Sequence, residues 1–189
     1  MTTNILFVGV GGQGTLLASK ILGYILTAQG YDFKASEVHG MSQRGGSVTV
    51  YVRFGEKIYS PVIEQGDADY VIAFEQLEAL RNLVYLNPHG TVITDTQQIG
   101  IVQTNAEKYP EDCIALIKKT GADVIAVDAV NLADSCGSKK VANAVLLGVL
   151  AKKLDLEEKS FFQAMDLFVK KEYQEINKKA FLCGFHMQF

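Results

Sequence analysis

The sequence predicts an α/β fold in three layers, a mostly parallel sheet with helices on both faces. Three observations predict it. Short apolar runs recur at Asn4–Gly9, Asp69–Phe74, Thr91–Thr94 and Asp123–Asp128. Between and after them lie stretches whose apolar residues fall at helical spacing. A single stretch, 47–54, alternates Val48, Val50 and Val52 with Thr49, Tyr51 and Arg53. Strands that alternate with helices build parallel sheets, because each crossover helix must cover a face of the sheet.

The elements follow in order. Asn4–Gly9 reads as a buried strand. The next stretch, 13–29, places Leu16, Leu17, Ile21, Leu22, Ile25 and Leu26 on one helix face, and Gly30 stops it. Tyr31–Val38 is a second strand, and 39–46 has loop composition. The alternating strand at 47–54 is expected to be half-exposed and to turn at Gly55-Glu56 into 57–60 as an antiparallel hairpin. The strand 69–74 leads into a helix over about 75–86. Asn87-Pro88-His89-Gly90 reads as a turn before the short strand 91–94. A helix is expected over 107–120, with Pro110 in its first turn and Gly121 at its end. Helices are predicted over 139–154 and about 157–176, and the aromatic tail 181–189 is expected to dock on this chain or on a neighbour. The stretch 138–150 is apolar nearly all round, which suits the core or a subunit contact. Without repeats or a linker, residues 1–189 read as a single domain.

Composition narrows the function classes. The chain is 48% hydrophobic and 21% charged, an ordinary globular balance. The longest apolar run, 141–151, contains Asn143 and falls short of the roughly 18 residues that span a bilayer. The first lysine is Lys20, so the start lacks the charged region of a secretory signal, and a cytoplasmic location is expected. Cys113, Cys136 and Cys183 are too scattered for a zinc or iron–sulfur ligand pattern and read as reduced thiols. Residues 1–138 carry a charge of −6 and residues 139–189 carry +3. The four lysine pairs of the basic end are interleaved with acids and apolar residues, the pattern of a solvated helix face. Nucleic acid is not an expected partner.

Two segments carry the chemistry. Gly9-Val10-Gly11-Gly12-Gln13-Gly14 fits G-x-G-x-x-G after a strand and before a helix. Glycine there permits a tight turn, lets an anion approach the backbone and lets helix and strand pack closely. Glu37, near the end of the second strand, stands where a nucleotide-binding fold places an acid. The motif suits a ligand-binding turn and a purely structural turn equally. The second segment, Glu37-Val38-His39-Gly40-Met41-Ser42-Gln43-Arg44-Gly45-Gly46, gathers an acid, an imidazole, a hydroxyl, an amide and a guanidinium among glycines. It offers Arg44 as a fixed charge and His39 as donor or acceptor.

Together these motifs resemble the gamma domain of the 2-oxoacid:ferredoxin oxidoreductases, most closely the small subunit of the indolepyruvate branch. The run Ser36-Glu-Val-His-Gly-Met-Ser-Gln-Arg-Gly-Gly46 is its specific signature. Ser60-Pro61, Gly66-Asp67-Ala68-Asp69, the helix start at Glu75, and Asn143 with Leu147-Gly148 also sit where that family places them. The resemblance implies a Rossmann-like domain in a complex that decarboxylates a 2-oxoacid oxidatively, passes the acyl group to coenzyme A and sends electrons to ferredoxin. Thiamine diphosphate, magnesium and iron–sulfur clusters are implied on a larger partner subunit. Gly66-Asp67-Ala68 lacks the downstream asparagine pair of a thiamine site, since Asn82 and Asn87 are isolated, and reads as a turn before a strand.

The resemblance assigns this chain no catalytic residue and no metal ligand. It implies one surface facing substrate, coenzyme A or the partner, formed by Gly9, Gly11, Gly12, Gln13, Gly14, Glu37, His39, Ser42, Gln43, Arg44, Gly45 and Gly46. His39 reads as a hydrogen-bonding residue rather than a proton carrier. Competing readings are a free-standing nucleotide-dependent dehydrogenase and a regulatory Rossmann module. An isolated chain that binds a nicotinamide nucleotide and turns over a metabolite would mark the first; one that stays monomeric in its own cell extract would mark the second.

Overall fold

A computed structural model describes residues 2–40, 45–99 and 109–189. Among these, six strands form one sheet in the order β2-β3-β1-β4-β5-β6. The strands are β1 (Thr2–Val10), β2 (Asp32–His39), β3 (Ser47–Gly55), β4 (Ala68–Ala73), β5 (Leu86–Asp95) and β6 (Asp123–Val127). β1, β4, β5 and β6 pair in parallel, while β3 lies antiparallel between β1 and β2. The predicted mixed α/β sheet is present.

Two apolar cores define the layers. Ile5 and Phe7 of β1 face α1 (Thr15–Ala28), α4 (Ala129–Ser135), α5 (Ala142–Lys153), α6 (Glu158–Phe168) and α7 (Lys171–Phe185). Leu6 and Val8 point the other way, toward α2 (Gln76–Arg81) and α3 (Cys113–Lys119). A strand that fills both faces must be apolar at successive positions, as β1 is. Helix α1 ends as its sequence dictates. Gly30 takes φ 88°, Gly30 N–H donates to the Thr27 carbonyl, and Tyr31 N–H donates to the Leu26 carbonyl.

The structure corrects several boundaries. Residues 57–60 form no strand. They follow β3 as a loop held by Arg53, which donates to the carbonyls of Ser60 and Val62, and by Asp32, which accepts the Ile58 N–H. The antiparallel hairpin is instead β2–β3, joined through residues 40–46, and β3 is an interior strand that also pairs antiparallel with β1. Asn87-Pro88-His89-Gly90 lies within β5 as a bulge. The ladder passes from Ala68↔Leu86 to Tyr70↔Thr91, and Asp69 accepts the Asn87 amide. Proline has no ladder donor, so a bulge is where β5 can hold it. The helix expected to end at 86 is only α2 and one 3₁₀ turn. Helix α3 begins at Cys113 with Asp112 accepting the Ala115 N–H, which leaves Pro110 outside it; residues 107–108 lie outside the described residues. Helix α4 was not anticipated.

The expected helix over 157–176 is two helices. The chain is extended at Val169 and Lys170, and the Gln174 amide donates to the carbonyls of Asp166 and Val169 at the end of α6. Neither residue at the break is a helix breaker; a side chain five positions downstream satisfies the freed carbonyls. The tail continues α7 and docks on its own chain. Phe181 is fully buried and stacks on Phe161 at 4.7 Å and on Phe185 at 5.6 Å. Helix α5 is core: Val145, Leu146, Val149 and Leu150 are fully buried. No helix among the described residues is long and apolar enough to cross a membrane.

Candidate functional site

The glycine turn leaves β1 at Val10 and enters α1 at Thr15. Gly12 (φ 103°) and Gly14 (φ 85°) occupy backbone conformations that favour glycine. Gly14 caps α1 without a side-chain hydrogen bond, and no acid lies in the helix's first turn. The amides that open α1 are therefore not claimed by a side-chain cap, the condition for an anion to use them.

Gln13 holds the turn in place. Its Oε1 accepts the Val10 N–H at 2.7 Å, and its Nε2 donates to the Phe74 carbonyl at 2.6 Å and to Gln97 Oε1 at 3.5 Å. The ends of β1 and β4 and the residues after β5 are thus tied by one amide. Gly9 is buried within β1, and a Cβ there would stand 2.8 Å from Gln13 Oε1 and 3.1 Å from Phe74 Cβ. Both residues thus hold the turn in place, and Gln13 also lines a cavity beside it.

Gly11, Gly12, Gly14, Glu37 and His39 do converge. They line one cavity of about 550 Å³ with Thr15, Leu16, Leu17 and Val48, a size that suits a small-molecule portion. Glu37 and His39 share a face of β2, opposite Val50 and Val48 of β3. Both are exposed. His39 Nδ1 lies 2.9 Å from the Gly40 carbonyl, a contact that, with the proton on Nδ1, leaves Nε2 as an acceptor. Gly46 enters through its backbone: the Gly11 N–H donates to the Gly46 carbonyl at 2.8 Å. Gly45, beside it, takes φ 78°. Ser42, Gln43 and Arg44 lie outside the described residues.

Buried acids support this arrangement, and sequence reasoning did not single out their role. Ser47, the first residue of β3, donates to Glu78 Oε2 at 2.5 Å, and Arg81 donates to Glu78 Oε1 at 2.8 Å. Glu75 caps α2 by accepting the N–H groups of Leu77 and Glu78, and it also accepts the Ile99 N–H and the Tyr109 hydroxyl. Both carboxylates are fully buried and hydrogen-bonded to donors on several segments. The one signal available was a pair of acids three apart directly after an apolar strand.

A second cavity, about 380 Å³, opens on the other side of the turn, beyond the ends of β1, β4 and β5. Gly12 lines both. Asp95, on its wall, is 1% exposed, and burial pushes its carboxyl up to about 6 against the pull of the Gln97 and Ala129 amides. Asn143 Nδ2 donates weakly to the Gly14 carbonyl at 3.5 Å, and its Oδ1 is buried without a partner among the described residues. Open α/β sheets bind ligands in crevices at this end of their strands.

The residues that would serve a thiamine or cluster site do not fit those groups. Gly66 (φ 82°) and Asp67 form a turn before β4, while Asp69 accepts the Asn4 N–H and the Asn87 amide. Cys136 and Cys183 meet, but Cys113 is buried in α3 apart from them, and cluster ligation calls for about four sulfurs. Among the described residues no three His, Cys, Asp or Glu side chains converge as a metal site.

The fold and the turn thus define a doubly wound α/β domain that presents a glycine turn and a strand end to a shared cavity. The profile of the family described as pyruvate ferredoxin/flavodoxin oxidoreductase matches residues 4–187, and the chain belongs to that family. It is 37% identical over 188 residues to the indolepyruvate oxidoreductase subunit IorB of Thermococcus kodakarensis, covering 96% of this chain and 93% of that one. It is 28% identical over 152 residues to the common gamma subunit of the pyruvate/ketoisovalerate oxidoreductases of Pyrococcus abyssi, covering 80% and 78%. Among solved structures, the gamma subunit of a keto/oxoacid ferredoxin oxidoreductase from Geobacter sulfurreducens superposes with a TM-score of 0.72 at 25% identity, covering 97% and 96%. The same fold forms 30% of the chain of a 2-oxoglutarate:ferredoxin oxidoreductase from Magnetococcus marinus, with a TM-score of 0.72 at 20% identity over 97% of this chain. The resemblance read from two short motifs extends over nearly the whole sequence.

Proposed function

We propose that residues 1–189 are the single gamma-type domain of a cytoplasmic indolepyruvate-type ferredoxin oxidoreductase. The chain works with a larger subunit that carries the thiamine diphosphate and the iron–sulfur clusters. That partner supplies the decarboxylation and electron-transfer chemistry when its cofactors are bound. This chain supplies shape and charge. The turn amides and the start of α1 hold an anionic group, the carboxylate of a substrate or a phosphate of coenzyme A. His39 accepts or donates a hydrogen bond beside it, and Arg44 adds a fixed charge.

The observation that supports this reading is the Gly11–Gly46 backbone bond, beside a cavity that Gly11, Gly12, Gly14, Glu37 and His39 line. The specificity for arylpyruvates is argued from the relatives: four chains named indolepyruvate oxidoreductase subunit IorB match at 32–42% identity.

The test is co-expression with the larger subunit. The purified complex is assayed for dye reduction with indolepyruvate, phenylpyruvate, pyruvate and 2-oxoglutarate in the presence of coenzyme A. Arylpyruvates should be the best substrates, and activity should need both chains. Oxidation of any metabolite by this polypeptide alone sinks the proposal. An Arg44→Ala complex with unchanged turnover and KM removes Arg44 from it.

A further inference from the structure

Cys136 and Cys183 are 47 positions apart in sequence, yet their Sγ atoms lie 3.4 Å from each other. Cys136 is the residue on which α4 ends; Cys183 is within α7. Both are partly exposed, whereas Cys113 is fully buried. The contact is made by the fold alone, through the packing of α4 and α5 against α7. We propose that this pair is an oxidisable dithiol, a modification site at which a peroxide closes a disulfide in the folded protein.

The geometry divides the roles. Cys183 is the anchored sulfur. Its neighbour Gly184 packs directly on the Val145 backbone of α5, and Gly148 packs on the Phe181 backbone in return. Cys136 is the sulfur at an element end. It ends a seven-residue helix and precedes Gly137 at φ 121°. Bond formation brings two sulfurs from van der Waals contact to about 2.05 Å, a movement of little more than an ångström. An element end beside a glycine can make that movement without disturbing α7.

The step balances with the peroxide as oxidant. One sulfur attacks a peroxide oxygen, the O–O bond breaks, and a sulfenic acid and one water result. The second sulfur displaces the hydroxyl of the sulfenic acid as a second water, forming the S–S bond. Two thiol protons end in the waters, and the two electrons lost by the sulfurs reduce the peroxide. The bond has a consequence for the second cavity. Residues 137–141 run from Cys136 into α5 and carry Lys139 and Lys140 on the cavity's rim, ahead of Asn143 beside the glycine turn. A disulfide fastens this rim to the C-terminal helix.

The experiment treats the reduced full chain, alone and in complex with its larger subunit, with low equivalents of hydrogen peroxide under native conditions. Remaining thiols are then alkylated after denaturation. Expected are a loss of two hydrogens, alkylation at Cys113 only, and a cross-linked peptide joining Cys136 to Cys183. The melting temperature should rise by several degrees and fall again with dithiothreitol. Cys136→Ser and Cys183→Ser should each abolish the cross-link. Sulfinic acid accumulating on separate cysteines, or a cross-link that forms only in denaturant, overturns the proposal. The wild-type mass analysis decides even if a variant fails to fold.

Discussion

The Gly11 N–H and the Gly46 carbonyl meet at 2.8 Å, joining the turn after β1 to the residue before β3. β1 and β3 are neighbours in the sheet, with Val10 opposite Ser47. The bond therefore continues the ladder one step beyond the strands. Gly46, the last residue of the signature segment, is thus held against the glycine turn by sheet register. Changes to the scaffold around that bond should show first as lost stability; changes to His39 should show first as altered binding.

Replacing Gln13 by Ala removes acceptor and donor at once. The Val10 N–H and the Phe74 carbonyl lose their partner. Unsatisfied buried groups cost about 1–3 kcal/mol each before water or relaxation relieves them. Urea unfolding should give a loss of about 2–3 kcal/mol. A change under half a kcal/mol would show that Gln13 is not a structural tie.

Helices α5 and α7 approach through Gly148 and Gly184. A Cβ on either would overlap the partner helix's backbone, at the Phe181 or the Val145 carbonyl. Backbone cannot step aside as a side chain can, so Gly148→Ala or Gly184→Ala should cost about 3 kcal/mol or more. Gly40→Ala, where a Cβ meets nothing within 4 Å, should leave the unfolding midpoint unchanged. Thermal melts of the three variants make the comparison.

Burial raises Asp95 from 3.8 to about 6. Between those values the folded chain keeps a proton that the unfolded chain has lost, so stability falls as pH rises from about 4 to 6 and stays reduced above. Asp95→Asn retains an oxygen for the Gln97 and Ala129 amides and removes the charge. At pH 7–8 it should be more stable than wild type by on the order of 2 kcal/mol, with the gain shrinking below pH 5. Unfolding midpoints measured from pH 4 to 8 test the sign; a variant gain that grows on acidification would refute it.

His39→Ala in the assembled complex should raise KM severalfold and leave the pH dependence of kcat in place. A hydrogen-bonding side chain at the cavity edge acts on binding. Loss of a basic limb from the kcat profile would instead make His39 a proton carrier.

The glycine turn was legible because its signal is local. A strand, three spaced glycines and a helix lie within a few residues, and their conformations depend on little else. The segment after β2 stood out by its crowding of polar side chains among glycines, and the resemblance gave that crowding a role. Glu75, Glu78 and Asp95 were not legible as supports, since an acid three positions from another reads the same on a wet helix face as under a sheet. Pro88 was misplaced because proline normally ends a strand, and only the bulge opposite Asp69 shows how β5 retains it. The helix break at Val169 was missed because the side chain that satisfies its carbonyls, Gln174, lies across the break.

By itself the sequence determined the α/β class, the parallel core strands, the glycine turn and the family. These follow from periodicity and from short motifs whose physics is complete within one element and its neighbour. The tertiary structure alone decided that β3 lies inside the sheet, that a second cavity opens beside Asp95 and Asn143, and that Cys136 meets Cys183. Such facts depend on which segments, far apart in the chain, are brought within a few ångströms. That choice is made by the burial of two apolar faces at once, which no local pattern encodes.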